Sequence, residues 1–355
     1  MPLDGPRPGC GTGWSWSLYL IHTHTDLVTE KGKAAWFLAL LSPIMAEMLS
    51  GSSPPLEFIF GFGFLFLIPM YGGGALLVRE LTVRWDKGWA TVIILGAAYG
   101  IIEEGIAVKS FFDPAWVDLG ALGEYGRLFE VNWVWSVWLT IFHSMISISL
   151  PILMLGLWYP RLRNESILTK GQFRLVGYLF VIDIAFCAFL FVSIQDYVPP
   201  LIQYSLSFVI VYLLIQLARR VPKDIVSARH HMPSWGPMKF LALGFLTLTG
   251  SFIFASSAPE PLPFPLAILV LMVMSAGSLL LLQHKLGATG NSVHKAYFAV
   301  GVILLFILLG PIHEVFNGML GMSVVSIGFA VFSLMLIGRA RSYESAAKGQ
   351  MLSQA

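Results

Sequence analysis

The sequence predicts an all-α protein, a polytopic transmembrane helix bundle of about ten helices with both termini in the cytoplasm. The composition, the lengths of the apolar runs and the placement of the basic residues all favour this fold. Hydrophobic residues make up 56% of the 355-residue chain and charged residues only 12%, about half the charged fraction of a typical soluble domain. The mean hydropathy is +0.75. We therefore expect a lipid bilayer around most of the chain and no nucleic-acid partner.

Apolar runs divide the chain into three regions. A helix needs roughly 20 apolar residues to cross the hydrocarbon core. We expect a cytoplasmic or interfacial arm at 1–33, a membrane domain at 34–337 and a cytoplasmic tail at 338–355. Within the arm, the aromatic patch at 14–21 predicts a segment lying at the membrane interface. The predicted membrane helices are 34–50, 57–78, 89–108, 132–158, 173–194, 199–218, 237–256, 262–283, 296–316 and 319–337.

Basic residues orient these helices. If the N-terminus is cytoplasmic, 20 of the 22 Lys and Arg residues fall on the cytoplasmic side, and only Lys109 and Arg127 fall outside. This distribution is that of the positive-inside rule. Since every inner segment is basic, the chain is expected to cross the membrane an even number of times. The short loops and compact size favour a multi-pass protein of a prokaryotic plasma membrane.

One sizeable loop, 110–131, is predicted on the outer surface. Its acidic residues are interleaved with aromatic ones such as Phe111, Trp116 and Tyr125. This pattern argues against a free linker, so we expect the loop to fold back on the membrane surface or to cover a cavity.

Ionisable residues inside the predicted helices mark the candidate site, because each costs about 2.5–3.5 kcal/mol near a helix centre. Glu103 and Glu104 are adjacent in the third helix. Neighbouring helical residues project about 100° apart, so we expect one to face a cavity and the other to pair with a neighbour such as Lys109. His143 lies at a similar depth in the next helix. Asp183, in the fifth helix, is predicted to be a proton or cation site or a paired interhelical acid.

A second polar group follows Gly310 and Pro311, where proline is expected to interrupt the ninth helix. It contains His313, Glu314 and Asn317, and the spacing of four places His313 and Asn317 on one helical face. An alternative is an outer turn whose polar residues are in water.

Glu47 lies between a proline and a glycine at the outer end of the first helix. In the predicted topology it joins the other polar residues at the midplane or in the outer half of the membrane. Their convergence predicts one outward-opening cavity lined by Glu47, Glu103, Glu104, His143, His313, Glu314 and Asn317.

Paired carboxylates with two imidazoles indicate a divalent metal such as zinc, held by His143, His313 and Glu103. Zinc binds imidazole nitrogen and carboxylate oxygen, and catalytic zinc sites leave one position open to water. A carboxylate that does not bind the ion can then act as a general base on that water.

These residues also resemble a known motif. A Glu-Glu pair on one helix, a His on the next and a later His-x-x-x-Asn is similar to the CAAX-prenyl-protease and bacteriocin-processing (CPBP) family of intramembrane proteases. The matching positions are Glu103, Glu104, His143, His313 and Asn317. The resemblance implies an all-helical fold and metal-dependent or glutamate-driven cleavage of a membrane peptide. Glu103 or Glu104 would activate water, with the other three as polar partners.

Two other classes of protein fit the same residues. A secondary transporter or an ion or proton pathway for a small solute would use Glu103, Glu104, His143 and Asp183 as its relay. A non-catalytic membrane scaffold would use the polar residues for contacts between helices.

Overall fold

The computed structural model describes residues 29–61, 63–227, 232–257, 262–288 and 291–354. The interfacial segment predicted at 14–21 lies outside the described residues. Ten described helices are long and apolar enough to cross a membrane, which confirms the predicted fold class. They are α1 Thr29–Leu49, α2 Gly63–Arg84, α3 Trp89–Ala107, α4 Trp133–Trp158, α5 Lys170–Gln195, α6 Leu201–Arg220, α7 Pro237–Ser256, α8 Phe264–Lys285, α9 Ser292–Asn317 and α10 Met322–Gln350.

Helix α9 corrects one prediction, because it runs through Pro311 without a break. Neighbouring helices and local adjustments can satisfy the backbone groups that a proline frees in a transmembrane helix. Gly310 lies directly against Ser326 of α10, so the two helices pack closely at this point. Helix α9 ends instead at Asn317 and is followed by Gly318, whose φ of 69° is left-handed and favours glycine.

The bundle has a central and a peripheral set of helices. In the apolar stretch of α3, 72% of the residues are buried. The corresponding share is only 11% in α6 and 17% in α5 and in α8. Helices α7 and α9 approach closely because Gly244 and Gly301 each face the backbone of the other helix, as small residues allow in membranes. Helix α3 therefore runs through the protein interior, while α5, α6 and α8 present apolar side chains outward.

Four of the inner helices contain π-helical turns, in which the backbone widens locally. These are Ile44–Leu49 in α1, Ile68–Gly72 in α2, Ile101–Ala107 in α3 and His143–Ser149 in α4. Turns of this kind are rare in proteins, and those that occur often lie at functional sites. All four carry residues of the site described below.

The loop between α3 and α4 folds over the end of the bundle. It contains a 3₁₀ turn at Gly120–Gly123 and a two-stranded antiparallel hairpin, β1 Arg127–Leu128 and β2 Val131–Asn132. The side-chain amide of Asn132 donates to the carbonyls of Ser110 (3.1 Å) and Asp113 (3.0 Å), which fixes the two ends of the loop together. The sequence left two alternatives for this loop, folding back on the membrane surface or covering a cavity. The structure supports the second.

Candidate functional site

The centre of the site is the imidazole of His143, which is contacted by both glutamates of α3. Its Nε2 lies 2.9 Å from Glu104 Oε1, and its Nδ1 lies 3.0 Å from Glu103 Oε2. Nδ1 also lies 2.9 Å from the hydroxyl of Ser147, one turn further along α4. His143 and Glu103 are 3% and 4% exposed, so this group of charges is shielded from solvent.

The convergence of Glu103 and Glu104 on one histidine overturns the expectation that they face different neighbours. Both lie in the π-helical turn of α3, which does not have the regular 100° spacing on which that expectation depended. Lys109 is not their partner. Its ammonium instead donates to the backbone carbonyls of Ala107 (2.9 Å) and Ala188, and burial lowers its pKa to about 8.

Tyr71 connects a third carboxylate to the group. Its hydroxyl lies within hydrogen-bonding reach of both Glu47 Oε1 and Glu103 Oε1, and the side chain is almost fully buried. The other oxygen of Glu47 accepts from the hydroxyl of Ser53 at 2.9 Å. Three acidic side chains from α1 and α3 are therefore linked through one tyrosine and one histidine.

On the opposite side of the histidine, the site extends to the loop 110–131 between α3 and α4, which we call the cover. The second oxygen of Glu104 accepts from the hydroxyl of Ser110, and the indole of Trp135 donates to the same hydroxyl at 3.0 Å. Asp118 lies in the cover, where burial, and then the negative charge of Glu104, raise the pKa of its carboxyl. A continuous chain of polar contacts thus runs from α1 to the loop after α3.

The charges of this group require a cation. The buried carboxylates of Glu103 and Glu104 contact a single imidazole, with the half-buried Glu47 one hydrogen-bonded tyrosine away, and buried charges are stable only when they are paired or coordinate a metal. Glu103, Glu104 and His143 are the group of described residues that could hold a metal ion, with one ligand atom from each lying within 4.8 Å of the others. Either protons or a divalent ion can neutralise this cluster.

A cavity of about 700 Å³ gives access to these side chains. Glu47, Glu103, Glu104 and His143 all line it, as the sequence predicts. It lies toward the end of the bundle that the positive-inside rule predicts to face outward. Three residues of the loop after α3 line it as well: Trp116, Val117 and Asp118. Aromatic side chains of five helices complete the lining, among them Phe66, Tyr71, Trp138, Phe142, Phe191, Phe252 and Phe306.

The structure does not bring the second predicted polar group to this cavity. His313 lies beside Gly51, and its Nδ1 lies 2.9 Å from the amide of Asn317, so these two residues do share a helical face. Glu314 accepts from the backbone N–H groups of Gly321 (3.3 Å) and Ser323 (2.6 Å) and so caps the start of α10. His313 is outside the described group that could hold a metal.

Asp183 is buried in α5, but it does not line the 700 Å³ cavity. Its Oδ2 makes no hydrogen bond to any described residue. Cys187, one turn later, does line the cavity. Asp183 therefore has no partner among the described residues, contrary to the expectation of a paired interhelical acid.

Two important contacts were not predicted from the sequence: those of Tyr71 and Ser110. Tyr71 has a recognisable signal, since it lies between Pro69 and a run of three glycines that disfavour a regular helix. Ser110 lacks such a signal because serine is common in loops, whereas Ser147 is one turn from His143, a spacing that indicates a contact on the same helical face.

The fold and the site define a class, a multi-pass membrane protein with a buried Glu–Glu–His group beneath a covered cavity. The chain belongs to a family described as an uncharacterized membrane protein family, whose model matches residues 36–346. No curated protein and no solved structure matches the chain.

Proposed function

We propose that this protein is a membrane-embedded peptidase in which Glu103, Glu104 and His143 form the catalytic group. The single observation behind the proposal is the contact of two carboxylates with both nitrogens of one imidazole in a 700 Å³ cavity. These three residues would hold a divalent ion such as zinc, whose protein ligands include imidazole nitrogen and carboxylate oxygen. Such an ion polarises a carbonyl group and lowers the pKa of bound water.

The surrounding residues supply proton transfer. Glu47 is not in the three-residue group, but the hydroxyl of Tyr71 connects it to Glu103. It is therefore positioned to accept a proton released as water attacks the substrate carbonyl, and to return it to the leaving amine. Ser147 holds the ring of His143 from the same helix.

The walls of the cavity favour a peptide substrate with apolar side chains. Trp138, Phe142, Phe252 and Phe306 present aromatic rings to the space beside the catalytic group. Pockets of this kind bind through apolar walls and orient the ligand by a few polar groups. The resemblance of Glu103, Glu104 and His143 to the CPBP motif supports the same substrate class, although His313 and Asn317 are not part of this site.

The proposal is tested with membranes from cells that lack the protein, incubated in H₂¹⁸O with the purified chain in proteoliposomes. Hydrolysis of a peptide bond places ¹⁸O in the new C-terminal carboxylate, which mass spectrometry of the released peptides detects. We expect labelled peptides with the wild-type protein and about a hundredfold fewer with Glu104→Gln, since Glu104 would help hold the ion that stabilises the developing charge, and losing one such stabilising group costs about 10²–10³-fold. Glu314→Gln, a carboxylate outside the cavity, is the matched control.

Labelled peptides in equal amounts from Glu104→Gln and wild type would refute the assignment of the site. No labelled peptides from either protein would favour the second candidate, a proton pathway. That candidate rests on the chain of polar contacts Ser53, Glu47, Tyr71, Glu103, His143, Glu104, Ser110, in which every link is a hydrogen bond except the 3.0 Å contact of Glu103 with His143. It predicts that an imposed pH gradient across proteoliposomes decays faster with wild type than with Tyr71→Phe. If neither activity responds to these substitutions, the scaffold alternative is favoured.

A further inference from the structure

A second polar cavity, of about 260 Å³, lies at the opposite end of the bundle, which the basic residues assign to the cytoplasm. We call it the basic cavity because five basic side chains line it and Asp224 is the acidic residue among its lining. The five are Arg79, Lys87, Arg163, Lys223 and Lys295. The proposed peptidase site uses none of them.

Three of these basic groups already have partners in the protein. The Arg79 guanidinium donates to Glu80 at 2.6 Å, and Lys223 pairs with Asp86 near the surface. The Lys87 ammonium donates to a backbone carbonyl at 3.0 Å. These groups shape the wall of the cavity, and the charges of Arg79 and Lys223 are compensated by carboxylates.

The other two basic groups have little compensation. Among the described residues, the Arg163 guanidinium donates only to the carbonyl of Gly156, at 3.2 and 3.4 Å. The ammonium of Lys295 forms no hydrogen bond or ion pair with any residue in the described ranges, and the side chain is only partly exposed. It is close enough to Arg163 for their positive charges to repel. A half-buried ammonium beside a guanidinium costs free energy unless an anion lies between them.

An apolar cavity of about 360 Å³ adjoins the basic one. It lies between α4, α8 and α9, with walls that include Leu150, Leu282, Phe298 and Val302. Lys295 lines both cavities, so its ammonium stands at their junction. Four other residues are shared by the two cavities: Trp89, Leu153, Val226 and Ser227.

We propose that these joined cavities bind one anionic phospholipid, with its phosphate against Lys295 and Arg163 and an acyl chain between α4, α8 and α9. A free anion would leave the apolar cavity without a role, whereas a neutral lipid would leave the two cations uncompensated. Basic pockets between membrane helices on the cytoplasmic side recognise anionic headgroups in this way. The site is separate from the peptidase cavity, since the two share no lining residue.

The test uses the purified full-length chain in detergent, titrated with palmitoyl-oleoyl phosphatidylglycerol or with phosphatidylcholine of the same chains. Native mass spectrometry counts the bound lipid. We expect phosphatidylglycerol to bind more tightly than phosphatidylcholine, and Lys295→Gln to weaken its binding about fivefold, the value for one basic residue facing an anionic lipid. Lys239→Gln, an exposed lysine at the start of α7 that lines neither cavity, is the control and should bind like wild type.

Two further arms identify the occupant. Leu282→Trp fills the apolar cavity and should weaken phosphatidylglycerol binding, while inorganic phosphate should not displace the lipid at millimolar concentration. Displacement by phosphate together with unchanged binding to Leu282→Trp would overturn the proposal in favour of a free anion site. Equal binding of the two lipids, or equal effects of Lys295→Gln and Lys239→Gln, would also overturn it. If Lys295→Gln fails to fold, Arg163→Gln in the loop after α4 makes the same test.

Discussion

Removing the hydroxyl of Tyr71 tests whether the three carboxylates form one coupled group. The hydroxyl carries a single proton and lies against both Glu47 and Glu103, so Tyr71→Phe removes one charge-assisted hydrogen bond. Such bonds contribute about 1.5–3 kcal/mol. The variant also leaves Glu47 and Glu103 facing each other without the donor that they share. We therefore expect the free energy of unfolding to fall by about 2–3 kcal/mol.

The measurement is equilibrium unfolding of the purified protein in mixed micelles by added dodecyl sulfate, followed by tryptophan fluorescence. Tyr178→Phe is the matched control, because Tyr178 is 67% exposed on the outward-facing side of α5. A double variant of Tyr71→Phe with Glu47→Gln should lose less than the sum of the single losses, since the amide is neutral and residues in contact are not additive. The reasoning is refuted if Tyr71→Phe and Tyr178→Phe unfold alike.

Two other predictions concern the packing and the charges near the site. A methyl group at Gly100 would lie 3.1 Å from Cβ of His143. Gly100→Ala should therefore lower the thermal unfolding midpoint and reduce the free energy of unfolding by about 1–3 kcal/mol. Gly277→Ala is the control and should not lower the midpoint, because the space around Gly277 is open. Burial holds the pKa of Lys109 at about 8, below its usual 10.5, so the folded protein releases this proton before the unfolded chain does. The contribution of Lys109 to the free energy of unfolding should therefore rise between about pH 8 and 10.5 and stay constant below that range, and Lys109→Met should flatten that part of the pH curve.

The fold could be predicted because a bilayer imposes simple demands on length and hydropathy. Ten apolar runs predicted ten helices, and most predicted boundaries lie within a few residues of the observed ones. The prediction of a helix break at Pro311 was wrong because it considered only the local backbone chemistry. The missing N–H of this proline predicted a break, but close packing of Gly310 against α10 accompanies a continuous helix.

The site could be predicted in part. Burial of charge is costly in lipid, so Glu47, Glu103, Glu104 and His143 were identifiable from their positions alone. The direction in which each side chain points was not, because it depends on π-helical turns that the sequence does not reveal. His313 was assigned to the site by its depth and residue type, but its place beside Gly51 is determined by tertiary packing.

The most direct test of a metal-dependent site is X-ray absorption at the zinc edge of the purified protein after zinc loading and removal of excess metal. We predict one bound zinc with a first shell of nitrogen and oxygen at about 2.0–2.2 Å and one imidazole in that shell. The bound zinc should be lost in Glu103→Gln and retained in Glu314→Gln. Zinc in the same amount in wild type and Glu103→Gln, or a first shell containing sulfur, would contradict a metal centre formed by Glu103, Glu104 and His143.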